Sequence, residues 1–240
     1  MINDKHVIAL IPARSKSKRL PSKNIIDLCG KPLLCWPIET ARKSKYIDKI
    51  VVSTDDEIIA RIAMESGAEV PFIRPQELAS DTASSSSVIL HALSFFNNYN
   101  LNFDYLVLLE PTSPLTESLD IDTALEILVK DRHQADAIVS VSQSVASHPA
   151  FDVTISPGGL IRPYLNENFQ HIRQQEISAV YFYDGSFYIS DTNIYKIRQS
   201  FYHERTMAYI VPKWKSFEID DMVDFVCIEA IMRNMDKIKK

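Results

Sequence analysis

No glycine precedes Gly30 in this chain of 240 residues. That absence excludes G-x-G-x-x-G behind the first apolar run, and G-x-x-x-x-G-K-[ST] occurs nowhere, so neither common glycine-built nucleotide loop is available. Cysteine is scarce as well. Cys29, Cys35 and Cys227 are odd in number and form no C-x-x-C pair, which argues against a disulfide framework or a zinc site and reads as reduced packing thiols. No apolar run approaches the ~18 residues needed to cross a bilayer. The opening "MINDKHVIAL" carries Asp4 and has neither the charged n-region nor the long apolar run of a secretory leader, so a cytoplasmic location is expected. Excess positive charge is missing too. With 26 Lys and Arg against 31 Asp and Glu, the net charge of −5 speaks against a nucleic-acid surface.

Positive charge is nevertheless concentrated in one place. "IPARSKSKRLPSKN" (11–24) holds Arg14, Lys16, Lys18, Arg19 and Lys23 without a single carboxylate. In an acidic chain this reads as a local device for a small anion. Apolar runs set its place. "HVIALI" (6–11), "KIVVST" (49–54), "YLVLLE" (105–110) and "AIVSVS" (137–142) read as strands buried on both faces. Helical patterns alternate with them: 33–42 with Pro32 in its first turn, 57–64 behind "STDD", 87–96 behind a serine run, and 119–129 with Ser118 as cap. This order predicts an α/β fold, one domain over 1–240, with a mostly parallel sheet and helices on both faces. Ligands of such folds sit beyond the carboxyl ends of the strands, where the basic stretch falls. Alternation stops after Ser142, and 147–183 mixes turn signals with short β-prone pieces as an excursion from the sheet. It resumes with a strand at 186–190, a helix near 194–199, a strand at 207–212 and a last helix from 222 to about 238.

Phosphate needs donors and positive charge whatever motif supplies them. Arg14 offers a bidentate fork, Lys18 and Lys23 point charges, and Ser17 and Asn24 neutral donors; a solvated basic loop has the same composition. Near the C-terminus, "SFEIDDMVDF" (216–225) places Glu218 and Asp220 on one side if 216–220 is extended, a pair of oxygen ligands of the kind Mg²⁺ uses. Helix capping competes for these carboxylates, for Asp221 above all.

The spelling "IPARSKSKRLPSKN" followed by "GKPL" resembles the opening of the CTP:sugar-acid cytidylyltransferases, and its K-N ending resembles the acylneuraminate (CMP-sialic acid synthetase) branch. "VVSTDDEIIARIAMESGAEVPFIRPQELASDTASS" (51–85), "EPTSPL" (110–115), "DGSFYI" (184–189) and "SFEIDDMVDF" follow in the family's order. The resemblance implies a Rossmann-like, three-layer nucleotidyltransferase fold whose excursion at 147–183 is a dimerisation arm. It implies Mg²⁺-dependent transfer of CMP from CTP to the anomeric hydroxyl of a nonulosonic, sialic-type acid by a homodimer, with release of pyrophosphate. An octulosonic acid acceptor, or a CTP-binding protein without turnover, stays open beside it.

By the same resemblance the CTP phosphates fall to Arg14, Ser17, Lys18 and Lys23, the nucleoside to Asn24, and the cytosine edge to Arg74. Ser84 or Ser85 reaches the nucleotide or the sugar; a surface arginine and a capping serine are the competing readings. The sugar acid falls to Glu110, Thr112, Ser113, Arg173 and Gln174, with any tyrosine hydroxyl contact left to Tyr181 or Tyr183 or absent, and Mg²⁺ to Asp220 and Glu218. Arg14, Lys18, Lys23 and Asp220 form the catalytic set, with Asp220 the candidate base. His148 and His171 lie in the excursion, within reach of the sugar. Five positions depart from the family's pattern: Glu110 for glutamine, Ser15 and Lys16 for two glycines, Phe182 for tyrosine and Glu218 for aspartate.

Overall fold

The computed structural model describes residues 1–145, 147–165 and 178–239. Its central sheet contains β1 (Val7–Pro12), β4 (Lys49–Ser53), β5 (Tyr105–Leu108), β6 (Ala137–Gln143), β9 (Tyr181–Asp191) and β10 (Thr206–Ile210), in the order β10-β6-β9-β5-β1-β4. A small hairpin of β2 (Asp27–Leu28) and β3 (Lys31–Pro32) follows the basic stretch, and a second, β7 (Val153–Ile155) with β8 (Ile161–Pro163), lies in the excursion. β1 pairs in parallel with β4 and β5, and β6 with β10. The strand expected at 186–190 is longer and runs the other way, antiparallel to both β5 and β6. The sheet is mostly parallel, as expected. The reversal brings the start of β9, Tyr183 to Gly185, to the edge where the parallel strands end.

Alternation along β1 explains the layers. Val7, Ala9 and Ile11 share one core with Ile38 of α1 (Cys35–Lys43), Ile59 of α2 (Glu57–Glu65) and Leu125 of α4 (Ser118–Lys130). Ile8 and Leu10 face the opposite core with Ile89, Leu93 and Phe96 of α3 (Ser85–Asn98) and Tyr195 of α5 (Thr192–Arg198). Successive strand residues point to opposite faces, so a strand apolar at every position must be covered twice. A third cluster joins Leu20, Leu28 and Leu33 to Leu115, Ile219 and, from α6 (Met222–Arg233), Phe225 and Ile228. It anchors the far end of the basic stretch to the segment that carries Glu218 and Asp220.

Asp56 caps α2, accepting from the amides of Ile58 and Ile59 at 2.8 and 2.9 Å. Pro32 is not in a first helical turn: the amides of Leu33 and Leu34 donate to Ile26 and Asn24, holding this segment on the loop before it, and the helix begins at Cys35. Ser118 is the first residue of α4 rather than its cap; Glu117 caps it, its amide donating to Asp120 Oδ2 at 3.2 Å. The last helix breaks at Asn234, and a short α7 (Met235–Ile238) follows. The excursion closes earlier than expected, because Tyr181, Phe182 and Tyr183 already pair with Gln143, Ser142 and Val141 of β6.

Candidate active site

Three parallel strands deliver the site. β1 ends in the basic stretch, β4 in Thr54–Asp55, and β5 in Glu110–Ser113, all at one edge. Without glycine the basic loop is held by side chains. Ser15 gives both its amide (2.8 Å) and its hydroxyl (2.6 Å) to Asp55. Burial raises the proton affinity of Asp55, but the bonds from Ser15, with its own backbone amide and the charge of Arg74, together outweigh it and leave the carboxyl below its usual range. Asn24 is buried and donates through Nδ2 to the carbonyl of Arg14 at 2.8 Å, tying the two ends of the loop together.

The cations so positioned meet two carboxylates. Arg14 Nη1 and Lys18 Nζ reach Asp81 at 2.9 and 2.8 Å. Arg19 Nη1 reaches Asp220 at 2.9 Å, and Lys23 Nζ donates to the Ile219 carbonyl at 2.8 Å with Asp220 at 3.7 Å. Burial lowers the proton affinity of Lys23, against the pull of Asp220. Ser17 is half-buried.

Beside the loop lies a cavity of about 240 Å³, bordered by Arg14, Arg74, Asp81, Ser85 and Glu110. Arg74 is only 4% exposed, which excludes the surface reading. Its Nε donates to Ser53 Oγ at 3.0 Å and Nη2 to the Ser53 carbonyl, and burial lowers its guanidinium to about 10. Ser84 caps α3, its Oγ accepting from the Ser87 amide at 3.1 Å, whereas Ser85 borders the cavity. A larger cavity of about 690 Å³ lies between α1, the start of α4 and the C-terminal helices, away from these cations and carboxylates.

Acidic groups converge beyond Glu110. Burial first, and then Glu218, raise Glu110 from 4.5 to about 7; burial, then Asp220 and Asp184, raise Glu218 to about 7. Glu218 lies against Gly185, whose φ is +71 and where a Cβ would fall 1.2 Å from Glu218 Oε1. Ser113 Oγ donates to the Gly185 carbonyl at 3.0 Å, and the Ile219 amide to the Thr112 carbonyl at 2.8 Å, so the "EPTSP" turn, the start of β9 and the 216–220 segment form one rigid corner. Asp221 is the cap of α6, accepting from Val223 and Asp224, while Asp220 faces the basic loop. Tyr183 is exposed and packs on Tyr202 with ring centroids 4.4 Å apart.

His148 is held within the excursion by its own hydrogen bonds. It is buried as the cap of a short turn, its Nδ1 accepting from the Ala150 amide and its Nε2 lying 3.1 Å from the Ser178 carbonyl. Arg173, Gln174 and His171 lie outside the described residues. The structure adds residues to which no role attached in the sequence: Asp81, Arg19, Asp55 and Asp184, the last buried with Oδ1 bonded to Ser140 and Ser186. Only the "SDTASS" spelling could have flagged Asp81, and it says nothing of which cations come near.

A cationic loop at the carboxyl edge of a parallel sheet, closed by a buried arginine on one side and carboxylates on the other, defines an α/β protein built to hold a nucleotide polyphosphate. The chain belongs to the cytidylyltransferase family, whose model it matches over residues 8–237, and it is a nucleotidyltransferase of the acylneuraminate type. It is 35% identical to the CMP-N,N'-diacetyllegionaminic acid synthase of Legionella pneumophila, over 94% of this chain and 96% of that one. It is 34% identical to the N-acylneuraminate cytidylyltransferase of Escherichia coli O18:K1:H7 over 97% of its length, spanning 54% of that longer protein. With the pseudaminic acid cytidylyltransferase of Campylobacter jejuni serotype O:23/36 the identity is 30%, over 90% and 92% of the chains. In fold it resembles CMP:2-keto-3-deoxy-manno-octonic acid synthetase complexed with CTP, at TM-score 0.69 and 17% identity over 96% and 99% of the chains. Among the described residues no helix is long and apolar enough to cross a membrane.

Proposed function

We propose that the protein transfers CMP from CTP to the anomeric hydroxyl of a nonulosonic sugar acid, releasing pyrophosphate, with Mg²⁺ as its cofactor. The observation that carries this reading is the opposition of Arg14, Lys18, Arg19 and Lys23 to carboxylates across one edge of the sheet, in a chain whose full-length relatives are named for such acids. The triphosphate takes the place of Asp81 and Asp220 on the cations. Arg14, Lys18 and Lys23 then offset the charge that develops as the α-phosphorus is attacked. Arg74 fits the cytosine edge, because a buried guanidinium that bonds through Nε and Nη2 to Ser53 has further donors in its planar fork to offer a base.

The carboxylates fit Mg²⁺ as a companion of the nucleotide. Among the described residues no group of three or more acidic, histidine or cysteine side chains could cage a metal alone, and Mg²⁺ characteristically takes one or two carboxylates with phosphate oxygens. Glu218 and Asp220 would hold it; burial first, and then the charges of Asp220 and Asp184, raise Glu218 to about 7, and a cation at that corner would offset both. Bound there, the ion would supply Lewis-acid stabilisation of phosphate charge. Asp220, freed from Arg19 and Lys23 by the phosphates, is the candidate acceptor of the hydroxyl proton.

Exposed apolar residues of the excursion, Ile155, Leu160, Ile161 and Tyr164, support a homodimer. Sedimentation should then give twice the chain mass. The reaction is tested by incubating the protein with CTP, Mg²⁺ and a panel of neuraminic, legionaminic, pseudaminic and octulosonic acids. Pyrophosphate release with a nine-carbon acid is expected. Release with the octulosonic acid alone would change the substrate class, and CTP binding by calorimetry without release for any acid would leave a binding protein.

A further inference from the structure

Asp81 has no role in the reaction proposed above, yet it occupies the phosphate cations. Its two oxygens divide between Arg14 (2.9 Å) and Lys18 (2.8 Å), a carboxylate bridging two cations as a phosphate would. Those contacts, Lys18 first and Arg14 second, hold its carboxyl below the usual range. The bridge spans the border of the 240 Å³ cavity, which both Arg14 and Asp81 line. Asp81 sits on a turn that is itself braced: Ser80 Oγ donates to the Glu77 carbonyl, the Ala83 amide to the Ser80 carbonyl, and Arg14 Nη1 reaches that same carbonyl at 3.4 Å. The turn thus holds the carboxylate where polyphosphate has to enter. The pairs are solvent-accessible, with side chains 37%, 46% and 76% exposed, so they exchange for a competing anion at little cost.

We infer that Asp81 is an internal competitor for polyphosphate. It neutralises Arg14 and Lys18 while the site is empty, yields them to the triphosphate, and recaptures them as pyrophosphate departs, which keeps an open cationic loop from retaining its product. This rests on the reaction proposed above for its role in turnover. Its effect on polyphosphate affinity stands apart from that reaction, because the geometry involves only cations of this chain and one of its own carboxylates. The competition discriminates by charge and not by base: cytidine has no phosphate to displace Asp81, so its affinity is independent of residue 81.

The test compares wild type with Asp81→Asn, which keeps the shape and removes the charge at an exposed site. Calorimetric titrations with tripolyphosphate, pyrophosphate and cytidine at low and high salt are the readout, and thermal melts check folding. The variant should bind tripolyphosphate and pyrophosphate about threefold to tenfold more tightly at low salt, with the gain shrinking at high salt and cytidine unchanged. In turnover it should be more strongly inhibited by added pyrophosphate. Unchanged or weaker polyphosphate binding would overturn the inference, since a carboxylate that merely orients Arg14 should weaken binding when lost. Tighter polyphosphate binding without pyrophosphate release from CTP would sustain the competition and defeat the reaction; release with equal affinities would do the reverse. Asp81→Ala serves as a second variant, and a gain in Asp81→Asn that Asp81→Ala fails to reproduce would also count against competition by charge.

Discussion

The raised carboxyl at residue 110 has a consequence for stability that does not depend on any substrate. Glu110 is lifted from 4.5 to about 7 in the folded protein, by burial and by Glu218. The folded state therefore holds this proton more tightly than the unfolded chain does. Between those two values the unfolded state releases its proton first, so stability is lost as pH rises from about 4.5 to about 7 and stays lost above. At ~1.4 kcal/mol per tenfold change in proton affinity, the loss from this one group is about 3 kcal/mol at pH 8. Glu110→Gln keeps the size and hydrogen-bonding reach of the protonated form and cannot ionise. It should stabilise the protein by roughly 2 to 3 kcal/mol at pH 8 and by under about 1 kcal/mol at pH 5. Urea unfolding at the two pH values, followed by tryptophan fluorescence, measures this directly. Glu218 shares the same corner and loses a repulsive neighbour with the substitution, so adding Glu218→Gln should contribute less than it would alone. An equal gain at both pH values would mean that the gain does not come from ionisation, and none at pH 8 that the corner is hydrated enough to carry two charges; either would refute the reasoning.

Other perturbations separate the acidic residues by role. Asp220→Asn should lower turnover by two or more orders of magnitude with little effect on folding, whereas Asp221→Asn, replacing a cap by one nearly as good, should leave both rate and urea midpoint near wild type. Lys215 is 5% exposed, 2.6 Å from Glu117 and paired with Asp120; Lys215→Met leaves buried Asp120 without its cation, while Glu117 keeps Lys239, and should cost roughly 3 kcal/mol in urea unfolding. Gly185→Ala should cost about 1 to 2 kcal/mol through its positive φ, read from the urea midpoint, and should depress CTP turnover because the Glu218 carboxylate must leave its seat.

Much of the fold was legible because it rests on periodicity. β1, β4, β5 and β6 are continuous apolar runs, and only a sheet covered on both faces has a use for them. Direction was not legible. β9 reads like its neighbours in composition, and its antiparallel course follows from where the excursion returns the chain to the sheet, a matter of connection rather than of local preference. Caps were bracketed rather than fixed: "STDD" contains the cap Asp56 among four cap-type residues, and Ser118 stands one position after the cap Glu117. At the site, the cations were evident from charge and spelling. Their partners were not, because Asp55, Asp81 and Asp220 lie 40 to 201 positions from the loop residues they bind, and no local pattern encodes those pairings.

Those long-range pairings explain how a glycine-free loop can bind phosphate. In a glycine-built loop the backbone turns tightly enough to point its own amides at the anion, and small residues let the phosphate approach. Here Ser15 spends its amide on Asp55, and Asn24 ties the Arg14 carbonyl, so the backbone is fixed by side chains and the binding task shifts to long cationic side chains. Cations of that reach need restraint while the site is empty, and Asp81 and Asp220 provide it. An acidic chain and a basic loop are then parts of one design. On the reading proposed above, polyphosphate displaces Asp81 and Asp220 from these cations, and affinity is then set by a difference between two sets of ion pairs rather than by the number of cations.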